Sequence, residues 1–377
     1  MTRAAKPQYA TLMVHLADMP EPRLARTRRH ELSDILAIAI CAIICGADGW
    51  VDVEDWGNAK IGWLKTFLRL PNGIPSHDTF GRVFAALNPV AFELRFAAWM
   101  QAVADRSDDR VVAVDGKTLR GSLDRAAGKT AIHMVSAWAH ANGVVLGQVK
   151  TDEKSNEITA VPALLQMLDL CGCIVTLDAL NTQKDTASAI LDKQGDYVMA
   201  LKGNHPKTMK EVEGYFGAEE KKKFRNPDIA PFITTEEGHG RQEARVYLAT
   251  TTLDSMPEVS TWPGVQAVVM VERQRTIQGA VSTERSYYLT SSSAPVEKLA
   301  AAIRSHWSIE SFHWILDTQF DEDKSRVRKD HGPQNFAMLR HVSLNLLKQE
   351  RTLKVGIKGK RKMAGWSEDY LLKIIGN

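Results

Sequence analysis

The segment 304–320, RSHWSIESFHWILDTQF, carries polar residues at a spacing that indicates chemistry. In a helix, where each residue turns the chain by about 100°, four of them share one face. These four are His306, Glu310, His313 and Asp317. Trp307 and Trp314 border this face, whereas bulky apolar groups normally lie on the side opposite a polar stripe. We therefore expect this helix to meet a polar group; a half-buried helix with solvated acids and packed histidines is the alternative.

Two further carboxylates directly follow short apolar runs. Asp115 comes after the run 111–114, and Asp178 comes after the run 173–177. Continuous apolar runs of this kind are typical of strands buried on both faces. Residues at the strand ends of an open sheet face the crevice in which such sheets bind ligands. Either aspartate alone is more simply a turn residue or a helix cap, but the two together with Glu310 favour a common site.

Three carboxylates in one place repel one another unless a cation lies among them. Oxygen ligands with open coordination positions suit the hard cations Mg²⁺ and Mn²⁺. Two such ions, about 3.5 to 4 Å apart, activate water or a sugar hydroxyl and stabilise the leaving oxygen of a phosphodiester. The carboxylates thus predict metal-assisted phosphoryl transfer without a covalent enzyme intermediate.

The elements that must position these residues follow from the apolar periodicity. Residues 11–105 have the pattern of short helices joined by tight turns, interrupted by the breaker PNGIP. The helix after this breaker presents Arg82, as a helix-turn-helix DNA reader would; a bundle used for packing is the alternative. From residue 106 the pattern predicts three strands, with a hairpin at Asn142-Gly143, then helix, strand, helix and strand. This order predicts an α/β fold with a mixed sheet flanked by helices.

The composition is that of an ordinary soluble globular protein. The 377 residues are 44% hydrophobic and 25% charged, which argues against extensive disorder and predicts more than one domain. The net charge is only +3, but cations cluster in 23–30 and in 354–362, as suits either a polyanion or a solvated face. The apolar run 35–45 is shorter than the about 20 residues that span a bilayer. Without a signal-like stretch, we expect a cytoplasmic protein with reduced cysteines and no membrane partner.

Five blocks of the sequence have distinctive residue patterns. They are VVAVDGKTLRGS (111–122), VTLDAL with Gln183 (175–183), YVMALKGNHP (197–206), EEGHGRQEAR (236–245) and RSHWSIESFHWILDTQFDED (304–323). In this order they resemble the signature blocks of DDE transposases of the H-repeat-associated, ISAs-type insertion-sequence family. The N-terminal RLARTRRHELSDILAIAICAIICGA resembles the helical domain associated with that family. The resemblance covers most of the chain.

The resemblance implies an RNase H-like core in which two aspartates and a glutamate bind divalent metal. Carried over by position, these are Asp115, Asp178 and Glu310. Asn181 and Ser311 depart from the family pattern, which commonly has Gly and Asn at these places. The tyrosine-arginine-glutamate-lysine signature of hairpin-forming relatives is absent around Glu310, so we infer no hairpin intermediate.

Several cations and histidines flank the candidate site. Lys117, Arg120 and Lys202 follow strands and are candidates for contacts with DNA phosphates, with solvated cations as the alternative. His306 and His313 are candidates for orienting Glu310 or for contacting DNA, because Mg²⁺ prefers oxygen ligands.

The acids after the helix and its two tryptophans have competing interpretations. Glu322 and Asp323 belong to a run of three acids, which supplies either an additional catalytic acid or a solvated cap. We expect Trp307 and Trp314 to be core packing that anchors the helix, with base stacking as the alternative.

We therefore predict a transposase that cuts insertion-sequence ends and joins them to target DNA by two-metal transesterification. It would use Mg²⁺ or Mn²⁺, as two ions, and act on double-stranded DNA as a homodimer. A catalytically inactive or domesticated DNA-binding derivative, and a metal-dependent nuclease without strand transfer, are the alternatives. The predicted domains are a helical N-terminal domain at 1–105, an RNase H-like core at 106–202 and 292–350, a β-rich insertion at 203–291, and a basic tail at 351–377.

Overall fold

The computed structural model describes residues 8–103, 111–124, 128–151, 157–229, 231–238 and 240–376. By its contacts the chain divides into two compact units. Unit 1 consists of Met1–Asp105, Gly116–Asn156 and Glu310–Asn377, and unit 2 of Arg106–Asp115 and Glu157–Ile309. The N-terminal segment thus shares a unit with the C-terminal segment, a grouping that differs from the domain boundaries predicted from the sequence. The predicted boundary at residue 105 lies outside the described residues.

Within the described residues, nine strands form one mixed sheet. They are β1 (Val111–Thr118), β2 (His133–Ala139), β3 (Val144–Thr151), β4 (Ile174–Leu177), β5 (Asp196–Leu201), β6 (Pro231–Gly238), β7 (Arg241–Thr250), β8 (Ala267–Ile277) and β9 (Ala280–Thr290). Their order is β3-β2-β1-β4-β5-β9-β8-β7-β6. β4 pairs in parallel with β1 and with β5, whereas β2 with β3 and all pairs from β5 to β6 are antiparallel. The predicted mixed sheet flanked by helices is confirmed.

The helices of unit 1 include those of the predicted helical segment. They are α1 (Gln8–Leu16), α2 (Leu32–Cys45), α3 (Trp50–Ala59), α4 (Ile61–Leu64), α5 (His77–Ala86), α6 (Pro89–Val103), α13 (Gly332–Gln349), α14 (Ile357–Trp366) and α15 (Glu368–Ile375). The helices of unit 2 are α7 (Glu157–Gln166), α8 (Lys184–Asp192), α9 (Pro206–Lys221), α10 (Pro257–Ser260) and α11 (Val296–His306). α12 (Ser308–Gln319) begins in unit 2 and continues in unit 1.

The sheet of unit 2 is built on apolar strands. Residues 112–114 of β1 and 175–177 of β4 are buried, as expected of strands covered on both faces. α11 packs on this sheet through a buried cluster that includes Leu299, Ile303 and Val198. β9 pairs with β5, so the segment predicted to be a β-rich insertion extends the same sheet.

Helix α13 is the centre of unit 1. Its residues 332–347 are all buried, and it contacts α2, α5, α6, α14 and β3. A helix buried on every side must find partners for its polar side chains inside the protein. Asn345 donates to the carbonyl of Val145 at 2.8 Å and accepts from its N–H at 2.9 Å. Asn335 donates to the carbonyls of Phe84 and Leu87 at the end of α5.

The helix predicted over 304–320 is two helices, so the prediction of one polar stripe is wrong. α11 ends at His306 and α12 begins at Ser308. The Ser308 hydroxyl donates to the Ser305 carbonyl at 2.6 Å, and such local bonds compete with the helical backbone ladder. The predicted packing role of the tryptophans is also wrong, because Trp307 is 50% and Trp314 is 61% exposed.

The predicted basic tail is partly core. Lys360 is buried, with its ammonium group bonded to the carbonyls of Leu347, at 3.0 Å, and of Glu350. Arg361 is buried as well, donates to the carbonyl of Ile43 at 2.9 Å, and lies 4.2 Å from the centre of the Phe320 ring. These cations therefore stabilise unit 1 and do not form a solvated tail.

No single helix of the described residues is long and apolar enough to cross a membrane. One pair of helices is long and apolar enough only when the two are taken together. The pair consists of Leu32–Cys45 and Trp50–Ala59, and the two helices are bent by 95° relative to each other.

A buried glutamate makes the stability of unit 1 depend on pH. Burial raises the pKa of Glu93 to about 7 from its usual 4.5, against a hydrogen bond from Gln334 at 2.7 Å. The folded state therefore holds this proton more tightly than the unfolded state, and the stabilisation is complete below pH 4.5 and lost as pH rises through 7. In the parent, the free energy of unfolding should fall by up to about 3 kcal/mol as pH rises through 7, and in Glu93→Gln this fall should be absent. Denaturant unfolding of parent and variant at pH 5 and pH 8 measures this; equal pH dependence in both would contradict it.

Candidate active site

Asp115 and Asp178 lie at corresponding positions on two adjacent strands of unit 2. β1 and β4 pair in parallel, with Val114 opposite Leu177, and each aspartate is the next residue. Neighbouring strands are about 4.8 Å apart, so the two side chains start from adjacent points of the sheet. Both residues are half-buried. Asp178 follows the end of β4, as predicted, whereas the strand-end position predicted for Asp115 is wrong, because β1 continues to Thr118.

The loop after β4 holds Asp178 in a defined orientation. The Asp178 Oδ1 atom accepts hydrogen bonds from the backbone N–H and the side-chain amide of Asn181, both at 3.0 Å. The same Asn181 amide donates to Glu157 Oε2 at 3.0 Å. Asn181 is fully buried and Glu157 is 2% exposed.

Asn181 and Glu157 are thus neighbours of the candidate residue Asp178 that sequence reasoning did not assign. The signal for Asn181 was visible, because it stands where the family commonly has Gly, but it was interpreted only as a departure from the family pattern. Glu157 had no signal in the sequence, since it begins a helix and reaches the site only through the fold.

His306 contacts the strand that carries Asp178. Its Nδ1 lies 2.9 Å from the hydroxyl oxygen of Thr176 on β4. Burial lowers the pKa of His306, and the nearby Asp178 carboxylate only partly opposes this. The ring is therefore neutral at physiological pH and links α11 to β4. A role in orienting Glu310 or contacting DNA stays a prediction.

Glu310 lies on an exposed face of α12. Ser311 and Trp314 are exposed beside it, whereas Phe312, Leu316 and other apolar residues on the opposite face are buried. Phe312 stacks on Trp138 of β2 with ring centres 5.0 Å apart. This packing fixes which face of α12 is buried and leaves the carboxylate of Glu310 accessible.

Lys117 is engaged in a buried ion cluster of unit 1. Its ammonium group lies 2.5 Å from Asp317 Oδ1 on α12 and 2.6 Å from Glu322 Oε2. Glu322 is 2% exposed, and Arg340 of α13 lies 4.0 Å from its other oxygen. The DNA-phosphate contact predicted for Lys117 would require breaking both ion pairs. The interpretation of Glu322 as part of a solvated cap is wrong.

The charges of this cluster determine one another. Burial alone would lower the pKa of Lys117, but the carboxylates of Glu322 and Asp317 outweigh it and raise that pKa. Burial alone would raise the pKa of Glu322, but Lys117 and Arg340 outweigh it and lower that pKa. Both groups therefore stay charged. Burial and the nearby Lys117 cation lower the pKa of His313 to about 3, so this imidazole is neutral.

The remaining candidate residues are mostly on the surface. Lys202 and Arg82 are exposed, and Arg82 makes a 3.4 Å hydrogen bond with the Thr79 hydroxyl. Arg120 is also exposed, with its Nε 3.6 Å from Asp323 Oδ2. Asp323 also accepts from the Arg120 N–H at 3.3 Å. DNA contacts by the cations and a catalytic role for Asp323 stay predictions.

The chemistry of the donor set suits a hard divalent cation. Asp115 and Asp178 are carboxylates at adjacent positions of β1 and of the residue after β4, and Asn181 orients Asp178, as partners of metal ligands commonly do. Among the residues that the structure describes, no three His, Cys, Asp or Glu side chains are grouped closely enough to hold an ion. The assignment of Asp115, Asp178 and Glu310 as metal ligands therefore stays a prediction.

Comparison with known proteins decides the family. Residues 106–346 match the family model described as Transposase DDE domain, and residues 13–100 match the one described as DDE_Tnp_1-associated. This chain belongs to the DDE transposase family. The H repeat-associated putative transposase YhhI of Escherichia coli (strain K12) is 38% identical over 97% of both chains. The putative transposase YncI of Escherichia coli O157:H7 is 38% identical over 97% of this chain and 95% of its own length.

Two other matches of this DDE transposase are more limited. The inactive transposase YbfQ of Escherichia coli (strain K12) is 49% identical, but over only 19% of this chain and 86% of its own. Among solved structures, a piggyBac transposase synaptic complex with hairpin DNA aligns over 98% of this chain and 76% of that chain. Its TM-score of 0.38 and identity of 9% are too low to carry an argument.

The ion cluster predicts how this DDE transposase responds to loss of Lys117. Lys117→Met leaves Arg340, at 4.0 Å, as the cation nearest to the buried Glu322. We therefore expect a loss of about 3 to 5 kcal/mol in the free energy of unfolding. The double variant Lys117→Met/Glu322→Gln should recover part of it, because the uncompensated charge is gone. Lys324→Met, which removes an exposed lysine paired with Asp321, is the matched control and should unfold at the parent's denaturant midpoint. Equal midpoints for Lys117→Met and the parent would contradict the cluster.

Proposed function

We propose that this chain is an active DNA transposase that cuts insertion-sequence ends and joins them to target DNA. The observation that carries the proposal is the register of β1 and β4, which brings Asp115 and Asp178 to adjacent positions inside the segment matched by the DDE domain. Glu310 is the proposed third carboxylate, because it is accessible on α12 and lies in the family's signature block. The core that carries them is proposed to be RNase H-like.

The proposed reaction hydrolyses one phosphodiester bond and then exchanges a second one. In cleavage, water attacks the phosphorus and displaces the 3′ oxygen at the element end, which leaves a 5′ phosphate on the flanking strand. In joining, the freed 3′ hydroxyl attacks a target phosphodiester and displaces its 3′ oxygen, so that one bond forms as another breaks. Asp115, Asp178 and Glu310 would hold two Mg²⁺ or Mn²⁺ ions, which activate the attacking oxygen and stabilise the leaving one when bound. No covalent bond to the protein is needed at either step.

The other residues of the site would orient these carboxylates. Asn181 fixes Oδ1 of Asp178 with two N–H donors and leaves Oδ2 free of both bonds. The neutral His306 supports β4 next to Asp178 through Thr176. Lys117 ties α12 to the end of β1 by its ion pair with Asp317. These residues act through others and are proposed to be positioning residues.

The proposed partner is double-stranded DNA, as element ends and as target. Since two ends have to be joined in one event, we propose a homodimer on DNA. A sizing measurement on paired element ends should give two protein chains per complex; one chain per complex would contradict the dimer.

The assignment of Glu310 is tested by Glu310→Gln, which keeps the size of the side chain and removes its charge. We expect DNA cleavage in Mg²⁺ to fall by at least about 10²-fold, as for loss of a group that stabilises the transition state. Glu297→Gln, on the exposed face of α11, is the matched control and should cleave like the parent. Unchanged cleavage by Glu310→Gln would show that the assignment is wrong.

Two outcomes separate the proposal from its alternatives. A parent protein that binds DNA but never cleaves it would be an inactive or domesticated derivative. With pre-cleaved ends, joining to a target plasmid supports a transposase, whereas hydrolysis without any joined product would identify a nuclease on the same fold.

The Asn181 contacts make a prediction about metal dependence. Asn181→Ala removes the side-chain donor to Asp178 and Glu157, so we expect the Mg²⁺ concentration for half-maximal cleavage to rise about 10- to 100-fold. Asn204→Ala is the matched control, since it removes a 2.7 Å hydrogen bond to Ala179 in the same loop but none to a carboxylate. A Mg²⁺ titration of cleavage rate compares the two; identical curves for Asn181→Ala and the parent would contradict the positioning role.

A further inference from the structure

A large cleft in unit 1 has no role in the proposed active site. Its volume is about 950 Å³. One wall comes from the beginnings of α3 and α5, and the other from the segment 321–332 between α12 and α13. The second wall includes four cations within six residues, Lys324, Arg326, Arg328 and Lys329. We call residues 324–329 the basic rim.

The basic rim is held in place by close backbone packing. A Cβ atom on Gly121 would lie 2.3 Å from the carbonyl oxygen of Ser325 and 2.7 Å from that of Asp323. Only glycine permits this approach. Arg328 Nε donates to the Gly121 carbonyl at 3.1 Å. The rim is therefore a preorganised surface, which lowers the ordering cost when a ligand binds.

Two cations of the rim are available to a ligand. Arg326 and Lys329 are exposed, and neither forms an ion pair with any residue that the structure describes. Arg82 is also exposed and lines the opposite wall, where it donates a 3.4 Å hydrogen bond to the Thr79 hydroxyl. Cations on both walls suit an anion that extends along the cleft.

The aspartates of the cleft are largely engaged with other groups. Asp52 accepts from the backbone N–H groups of residues 48 and 49, at 2.9 and 3.0 Å. Asp321 pairs with Lys324 at 2.6 Å, and Asp48 lies 3.8 Å from Arg361. Asp78 lies 3.7 Å from His77. With Asp124, the cleft is lined by five aspartates and by six lysines or arginines, so cations are in slight excess. Arg326 and Lys329 are the exposed rim cations for which no ion pair is seen among the described residues.

The cation clusters visible in the sequence are only partly accessible. In the early cluster, Arg23 is paired with Glu21 at 2.7 Å and its side chain is 12% exposed, whereas the arginines at 26, 28 and 29 are exposed. In the late cluster, Lys360 and Arg361 are buried, whereas the lysines at 354, 358 and 362 are exposed. The basic rim adds accessible positive charge in a short segment that composition did not single out.

We propose that this cleft binds the phosphate backbone of duplex DNA, with Arg326, Lys329 and Arg82 as the contacting cations. The proposal rests on the proposed function, which makes duplex DNA the partner. A single phosphate would occupy a small part of the volume, whereas a DNA backbone presents phosphates in a row to cations on both walls. Such contacts set the position of the duplex and carry no sequence information.

The experiment measures DNA affinity of the full chain as a function of salt. A fluorescently labelled duplex is titrated in EDTA between about 50 and 200 mM NaCl, so that no cleavage occurs. For Arg326→Ala/Lys329→Ala we expect binding weakened roughly ten- to a hundredfold at low salt, and the slope of log K against log salt reduced by about 2. Arg82→Ala should reduce the slope by about 1.

The matched control is Lys358→Ala/Lys362→Ala, which removes two exposed charges from α14. We expect this variant to keep the parent's slope. Thermal midpoints check that the variants are folded. Three outcomes would overturn the proposal. Arg326→Ala/Lys329→Ala could bind duplex DNA like the parent, both double variants could lose the same affinity, or the parent could fail to bind duplex DNA.

The failure of this proposal is distinguishable from failure of the proposed function. Duplex binding is measured in EDTA and cleavage in Mg²⁺, so the two readouts are independent. A parent that binds duplex DNA through the basic rim but never cleaves it would contradict the proposed function and leave this proposal intact. Equal competition by inorganic polyphosphate and by duplex DNA, at the same phosphate concentration, would show a general anion site and overturn the assignment of the partner.

Discussion

A charged lysine that is largely withdrawn from water needs opposite charge beside it, and this constraint organises much of unit 1. Lys117 lies between Asp317 and Glu322, at 2.5 and 2.6 Å, and Glu322 in turn faces Arg340. Removing Lys117 leaves the buried Glu322, and removing Glu322 leaves the buried Arg340, without its nearest opposite charge. The end of β1, the helix α12 and the central helix α13 are thus held in one arrangement by four charged groups.

The same short strand serves both the cluster and the candidate site. Asp115 and Lys117 are two residues apart on β1, and side chains two residues apart in a strand lie on one face. On α12, Asp317 follows Glu310 by about two helical turns. The residues that hold these elements are therefore built into the elements that carry the proposed catalytic carboxylates. In the motif DGK, the proposed metal ligand Asp115 is thus two residues from Lys117, which holds α12.

In unit 2, orientation is achieved by hydrogen bonds instead of ion pairs. Asn181 is neutral, yet it holds Asp178 and Glu157 together through one amide group. A neutral donor orients a carboxylate without placing a positive charge beside it, whereas a lysine at this place would add one. Lys117 thus pairs with a buried acid, Glu322, and Asn181 holds Asp178, the proposed metal ligand.

Much of the architecture was predictable because it depends on local pattern. The apolar runs before Asp115 and Asp178 predicted buried strands, and Asn142-Gly143 predicted the hairpin, since few residues suit that turn. The order of helices and strands then indicated a mixed sheet. The family resemblance added the three carboxylates, whose chemical type is visible in a sequence even when their arrangement is not.

What the tertiary structure decided was which polar groups are partners. Sequence reasoning offered Lys117 as a DNA contact or a solvated cation, and Glu322 as an additional acid or part of a solvated cap. It took 304–320 as one helix. Each interpretation is reasonable for the neighbours in the chain. Lys117 and Glu322 are far apart in sequence, so their pairing depends on how β1, α12 and α13 pack. The same holds for Glu157 and Asn181, and for the burial of Lys360 and Arg361. The sequence by itself determined the elements and the reactive residue types; burial and charge pairing, which depend on long-range contacts, were decided only by the fold.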